Sequence, residues 1–197
     1  MGFADTIVAL CIGLGLSAAC GFRVFVPMLV MGAAGRSGLL DLAAGFDWLS
    51  TWPALVAFAT ASVLEVGASC VPWVDHAVDV AAAPAALIAG TIATAAQLDG
   101  AGSLAGWATG LLAGGAAAGA THMVNAATRA VSTIGTGGAG NPVLSLMQAA
   151  AAFLVSMLTI LAPVVAVALL IFAAAWLYRR LRGGRVVPAA ATLNLSA

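Results

Sequence analysis

The run from Pro142 to Tyr178 contains no charged side chain and few polar ones, and it constrains the fold more than any other stretch. A helix that crosses the hydrocarbon core of a bilayer needs about 20 apolar residues. One straight helix over the whole run would be about 55 Å long, against a core of about 30 Å. Pro163 near the middle therefore predicts two spanning helices, over 142–160 and 163–178. A single tilted and kinked helix is the alternative.

The composition supports a membrane location. Of the 197 residues, 63% are hydrophobic and only 7% are charged, whereas soluble domains carry about 25% charged residues. We therefore predict an all-α integral membrane protein in the bilayer. The formal net charge is zero, which argues against a nucleic-acid partner. The arginines at 179, 180, 182 and 185 follow the last apolar run, and they predict a cytoplasmic C-terminus in the inner (plasma) membrane.

Four further apolar stretches bring the expected number of spans to about six. They cover 6–31, 53–71, 80–98 and a segment that starts near 103. Six spans place both termini in the cytoplasm, and five would reverse the N-terminus. Pro27 follows Arg23 by four residues, which predicts a kink in the first span with a freed carbonyl beside the arginine. We expect residues 1–182 to form one transmembrane domain, 183–197 a disordered tail, and no cleaved signal peptide.

The two halves of the chain share an order of features. Arg23, Glu65 and Pro84 follow one another in the first half, and Arg129, Gln148 and Pro163 in the second. This order is typical of a three-plus-three inverted repeat, over 1–99 and 103–182, with broken helices. In transporters built this way the binding site lies at the repeat interface.

The stretch 121–145 is the predicted functional centre. Its polar residues recur at helical spacing, so they share one face of an amphipathic helix: Thr121, His122, Asn125, Thr128, Arg129, Ser132 and Thr133. Four of the six residues at 135–140 are glycine, which predicts a loop. Asn141 is the expected N-cap of a new helix with Pro142 at its first position. An arginine, exposed amides and a helix N-terminus together are typical of an anion site.

Arg23 and Glu65 are expected to join this site, because a charge near the bilayer centre is costly unless it is paired, hydrated or functional. The predicted ligand-binding residues are Arg23, Glu65, His122, Asn125, Arg129, Ser132, Thr133, Gly137, Gly138, Asn141, Ser145 and Gln148. Two structural alternatives stay open. Arg23 and Glu65 form an ion pair that fixes helix packing, or the Arg129 helix lies at the membrane interface and ends in an ordinary glycine turn.

Asp75, His76 and Asp79 are weak candidates for a metal site, together with Glu65 and His122. Their spacing is not diagnostic, and a solvated interfacial turn is the preferred interpretation. No cofactor is expected, and the glycine run lacks the Lys-Ser/Thr of a nucleotide-binding P-loop. Cys11, Cys20 and Cys70 are expected to be small buried hydrophobic residues.

Three segments carry a resemblance to a known family: GLSAACGFRVFVP, LEVGASCVPWVDHAVDVAAAP and THMVNAATRAVSTIGTGGAGNPVLS. The chain resembles the bacterial membrane family named domain of unknown function 4126 over roughly residues 10–165. The resemblance implies a small multi-pass inner-membrane protein, and it brings no established activity.

Three functions remain in contention. The first is a transporter or channel for an anionic or amphiphilic solute, such as a phosphate-bearing lipid. The second is an assembly protein, or a homo-oligomer, that packs partner helices on a ridge of small residues at Gly106, Gly110, Gly114 and Ala118. The third is a metal-dependent membrane enzyme, and the sequence favours a role without catalysis.

Overall fold

The computed structural model describes residues 2–68, 72–98 and 104–183, without the side chains of 72–77, 79 and 181–183. Within these ranges all regular structure is helical, so the predicted all-α class is confirmed. A short 3-10 helix covers Asp47–Ser50, and a π-helical turn covers Gly110–Gly115. The α-helices are α1 Phe3–Cys20, α2 Phe25–Arg36, α3 Trp52–Ala68, α4 Pro72–Ala95, α5 Leu104–Thr109, α6 Ala116–Thr136, α7 Asn141–Leu161 and α8 Pro163–Gly183.

The described helices differ in whether they are long enough to cross a bilayer. By length and composition, three qualify: α1, α7 and the part of α8 over Pro163–Arg180. Three shorter apolar helices are α2, α3 and the Val80–Ala95 part of α4. The apolar helices fit a membrane protein, and the six-span topology stays a prediction.

The first predicted span is two helices rather than one kinked helix. α1 ends at Cys20 and α2 begins at Phe25. Pro27 is the third residue of α2, where a backbone N–H would have no acceptor within the helix, so the proline breaks nothing. The predicted kink between Arg23 and Pro27 is therefore wrong in position. The helix is interrupted over residues 21–24, which include Arg23 and end before Pro27.

α1 packs against α4, α6 and α7 through small residues. A Cβ on Gly13 would lie 2.9 Å from the Cα of Thr94, so only glycine allows α1 and α4 to approach this closely. Ser17 donates a hydrogen bond to the Gly90 carbonyl oxygen at 2.6 Å, and its hydroxyl lies 2.9 Å from that of Thr94. These contacts fix α1 at the centre of the helices that build the site.

The small-residue ridge packs against α4 of the same chain. A Cβ on Gly110 would lie 2.7 Å from the Thr91 carbonyl oxygen, and one on Gly90 would lie 2.7 Å from the Gly114 carbonyl oxygen. The close-packing face that the sequence predicted is real, and its partner is an internal helix.

The run from Pro142 to Tyr178 contains two helices, as predicted. The chain leaves helical conformation at Ala162, with φ −147° and ψ 70°, and α8 begins at Pro163. The described residues up to Val167 form one compact unit, and the described residues from Ala168 onward form a second. Within the second unit the Arg180 guanidinium lies over the Trp176 ring at 5.0 Å. All of the predicted disordered tail except Gly183 lies outside the described residues.

After α2 ends at Arg36, a loop leads to the short 3-10 helix. The Arg36 guanidinium lies 4.4 Å from the centre of the Trp52 ring, while Trp48 lies against Phe58. Trp48 and Trp52 are both exposed, as residues at a membrane interface would be.

Candidate functional site

The interruption between α1 and α2 leaves backbone groups that other helices satisfy. The Asn125 side chain on α6 donates to the Phe22 carbonyl oxygen at 3.1 Å. The amides of Val24 and Phe25 donate to the two carboxylate oxygens of Glu65 on α3, at 3.0 and 3.4 Å. The Glu65 carboxylate therefore caps the N-terminus of α2, where a negative charge is favoured by the helix dipole.

Arg23 links the interruption to α3 and α7. Its Nη1 donates to the main-chain carbonyl oxygen of Glu65 at 3.0 Å, and its Nη2 donates to the Ser145 hydroxyl on α7. The side chain is 4% exposed. A planar guanidinium can reach both acceptors at once because its donors point in different fixed directions.

Arg129 enters the same region from α6. Its Nε donates to the side-chain oxygen of Gln148 on α7 at 3.2 Å, and the arginine is 5% exposed. The amide nitrogen of Gln148 is buried and has no hydrogen-bond partner among the described residues. Buried polar groups of this kind are nearly always satisfied, by protein, water or ligand.

The two arginines meet around one small polar cavity. The interruption, α3, α4 and α6 all contribute to its wall, and its volume is about 10 Å³, roughly the space of a single water molecule. The polar or charged side chains on the wall are Arg23, Glu65, His122, Asn125 and Arg129.

A larger apolar groove adjoins this cavity. It lies between the start of α2, the second half of α3 and the Val78–Ala85 part of α4, and its volume is about 630 Å³. Apart from Glu65, the described groove residues are apolar. Four residues line both spaces: Val24, Glu65, Val78 and Ala82. The charged cluster, which consists of Arg23, Glu65 and Arg129, therefore lies at a wall of the groove.

The glycine loop is a separate feature from this cluster. Gly137 and Gly138 have φ of 62° and 91° and form the turn after α6. The Thr136 hydroxyl accepts from the Gly140 amide at 3.0 Å, and the Asn141 side chain donates to the Thr133 hydroxyl at 3.2 Å. The loop therefore holds its own side chains together, as an ordinary glycine turn does.

The structure thus brings together seven of the twelve predicted site residues: Arg23, Glu65, His122, Asn125, Arg129, Ser145 and Gln148. The other five lie at the end of α6, in the turn and at the start of α7, away from the walls of the polar cavity: Ser132, Thr133, Gly137, Gly138 and Asn141. The predicted N-cap is off by one residue, because α7 begins at Asn141 itself and Gly140 is the N-cap.

Sequence reasoning missed the amides of Val24 and Phe25. They supply the helix N-terminus that the glycine loop was expected to provide. No side chain caps α2 from within its own sequence, so the usual Ser, Thr, Asp or Asn signal is missing there. The only hint was an arginine followed closely by a proline in an apolar stretch.

The metal candidates are not placed by the structure. The side chains of Asp75, His76 and Asp79 lie outside the described ones, and the described residues contain no group of three or more potential metal ligands. Cys11 and Cys20 are free thiols, and Cys20 is buried. Cys70 lies outside the described residues.

The described helices are apolar, and three of them are long enough to cross a membrane, which fits a helical membrane protein. The comparison with known families agrees with the resemblance seen in the sequence. A family model described as Domain of unknown function (DUF4126) matches residues 10–182, and the chain belongs to this family. No curated protein and no solved structure matches the chain.

Proposed function

We propose that the protein is a small membrane transporter or channel for an anionic or amphiphilic solute. One observation carries the proposal: Arg23 and Arg129, from separate elements, are buried together at a helix interruption in an otherwise apolar bundle. Burying a guanidinium within a bilayer is expensive, so such residues usually mark a solute or ion pathway.

The interrupted helix supports the same function. In many transporters, discontinuous helices point half-helix N-termini at the anionic group of the substrate near the middle of the bilayer. Here the N-terminus of α2 points its first amides at a carboxylate, that of Glu65. In our proposal Glu65 is the counter-ion that holds the site while the solute is absent.

The finer features of the topology belong to this proposal. We place the protein in the inner membrane with a cytoplasmic C-terminus, because four arginines follow the last apolar run. We also propose that 1–99 and 103–182 are inverted repeats with the site between them. Arg23, in the first half, donates to the Ser145 hydroxyl of α7, in the second half, as expected for a cluster where the two halves meet.

Arg129 variants test the proposal in proteoliposomes. Efflux of preloaded inorganic phosphate and of butyrate is measured with the unchanged protein, Arg129→Ala and Arg129→Lys. We expect Arg129→Ala to abolish protein-dependent flux and Arg129→Lys to restore it only in part, because lysine lacks the planar fork. Arg36→Ala is the control, since Arg36 lies over Trp52 outside the cluster. Full flux of either anion through Arg129→Ala would reject the proposal.

The assembly alternative draws less support. Its ridge already packs on α4 within the chain, so a partner helix would have to bind elsewhere. The side chains of Asp75, His76 and Asp79, the candidate ligands of a metal-dependent enzyme, lie outside the described ones.

A further inference from the structure

We propose that the cluster and the groove together bind a long-chain fatty acid. Its carboxylate would take the place of the Glu65 carboxylate at the start of α2, and its alkyl chain would lie in the groove between α3 and α4. This inference rests on the proposed function and names its ligand.

The polar cavity at the start of α2 already holds a carboxylate. Glu65 accepts hydrogen bonds from two consecutive amides, at 3.0 and 3.4 Å, with two buried guanidinium groups lining the same cavity. Consecutive amides at a helix N-terminus bind carboxylates of any origin by the same geometry. A ligand carboxylate would therefore find the same donors once Glu65 turns away.

The apolar groove begins at the Glu65 carboxylate. Glu65 and Val24 line both spaces. The groove volume of about 630 Å³ falls within the usual range of about 300–1,000 Å³ for small-molecule sites. Its described walls offer an alkyl chain apolar side chains and a glycine, Gly67. A single molecule with an anionic end and one apolar chain complements both parts.

The size of the polar cavity selects the anionic group. With about 10 Å³ of free space, the cavity accommodates a carboxylate that replaces the one now present. A phosphate carries more oxygens, and a glycerol-linked phosphate is larger still. The geometry therefore favours a fatty acid over a phosphate-bearing lipid.

Ligand binding by the full-length protein in detergent tests this inference. The probes are palmitate, hexadecanol, which has the same chain without the charge, and lysophosphatidate, which carries a phosphate. We expect palmitate to bind more tightly than either of the others. Equal binding of hexadecanol would overturn the inference, because the groove would then act without the charged cluster. Tighter binding of lysophosphatidate would overturn it as well.

Gly67→Leu tests the groove with a matched control. A Cβ on Gly67 meets no heavy atom of the described residues within 4 Å, and Gly67 lines the groove. Gly135 is equally open among the described residues and does not line the groove. Because leucine at 67 would fill space meant for the alkyl chain, Gly67→Leu should weaken palmitate binding by about tenfold or more. Gly135→Leu should leave it unchanged. Equal affinities for both variants would contradict the inference.

Glu65→Gln tests the competition. Glutamine keeps the shape of the side chain and loses its charge, so it should hold the α2 amides less strongly. We expect palmitate to bind this variant more tightly than the unchanged protein, an outcome that a purely structural glutamate would not produce. Unchanged or weaker binding in folded Glu65→Gln protein counts against the inference. If phosphate or butyrate flux still depends on Arg129 while palmitate fails to bind, the proposed function stands and only this inference falls.

Discussion

At the scale of single residues, Glu65 has the most consequential position. Its carboxylate accepts from the first amides of α2, and its main-chain carbonyl accepts from Arg23. Removing the side chain leaves the amides of Val24 and Phe25 without their acceptor inside the protein. A buried donor that loses its partner costs about 1–3 kcal/mol.

We therefore predict that Glu65→Ala lowers the free energy of unfolding by about 2 kcal/mol or more. Glu65→Gln should lose less, because its amide oxygen still accepts one hydrogen bond. Thermal unfolding of the two variants in detergent measures the difference. Equal midpoints would show that the cap contributes nothing to stability.

Arg23 supports a second prediction at this scale. Its two terminal nitrogens donate to different helices, α3 and α7. Lysine has one ammonium group on a flexible chain and cannot hold both acceptors in the same way. Arg23→Lys should therefore destabilise the protein more than Ser145→Ala, which removes only the α7 acceptor. Thermal midpoints that rank the two variants in the opposite order would contradict this role.

At the scale of helices, the contact between α4 and the π-helical turn depends on glycine. Gly114 meets the Gly90 carbonyl oxygen and Thr94 so closely that an added Cβ would clash with both. Overpacking of a tight interface costs about 1–3 kcal/mol. Gly114→Ala should therefore lower the thermal midpoint, whereas Gly135→Ala, with open space around it, should not. A stable Gly114→Ala variant would show that the helices can move apart freely.

How far the sequence predicts these elements depends on where their signals lie. The break at Pro163 was predictable, because proline ends a helix by local geometry. The small-residue ridge was visible as a spacing of four, and its partner α4 was not, since spacing says nothing about which helix packs there. The α1–α2 interruption was misplaced because its cap comes from Glu65, forty residues further along the chain.

The candidate site divides in the same way. The cost of buried charge singled out Arg23, Glu65 and Arg129 before their positions were known. The local pattern of the glycine loop fits both an anion site and a simple turn, so the sequence alone does not distinguish the two. In the structure the loop residues lie away from the walls of the polar cavity, and the Asn141 side chain donates to the Thr133 hydroxyl across the turn.

At the scale of the whole molecule, the protein is a member of the DUF4126 family, and its described apolar helices bury a charged cluster. Its orientation is open to a simple test. The arginines after the last apolar run predict a cytoplasmic C-terminus. A reporter that is active only in the cytoplasm, fused after Ala197, should therefore be active. Activity only from a periplasmic reporter at the same position would reverse the topology.

The central claim is that the N-terminus of α2 and two arginines form an anion-binding site. Chemical rescue of Glu65→Ala tests this claim most directly. Formate added to this variant should raise its thermal midpoint in a saturable way, by the equivalent of about 2.7 kcal/mol at a hundred times its dissociation constant. The gain should disappear in the double variant Glu65→Ala/Arg129→Ala. If formate shifts Glu65→Ala no more than it shifts the unchanged protein, the cluster does not bind anions and the account is wrong.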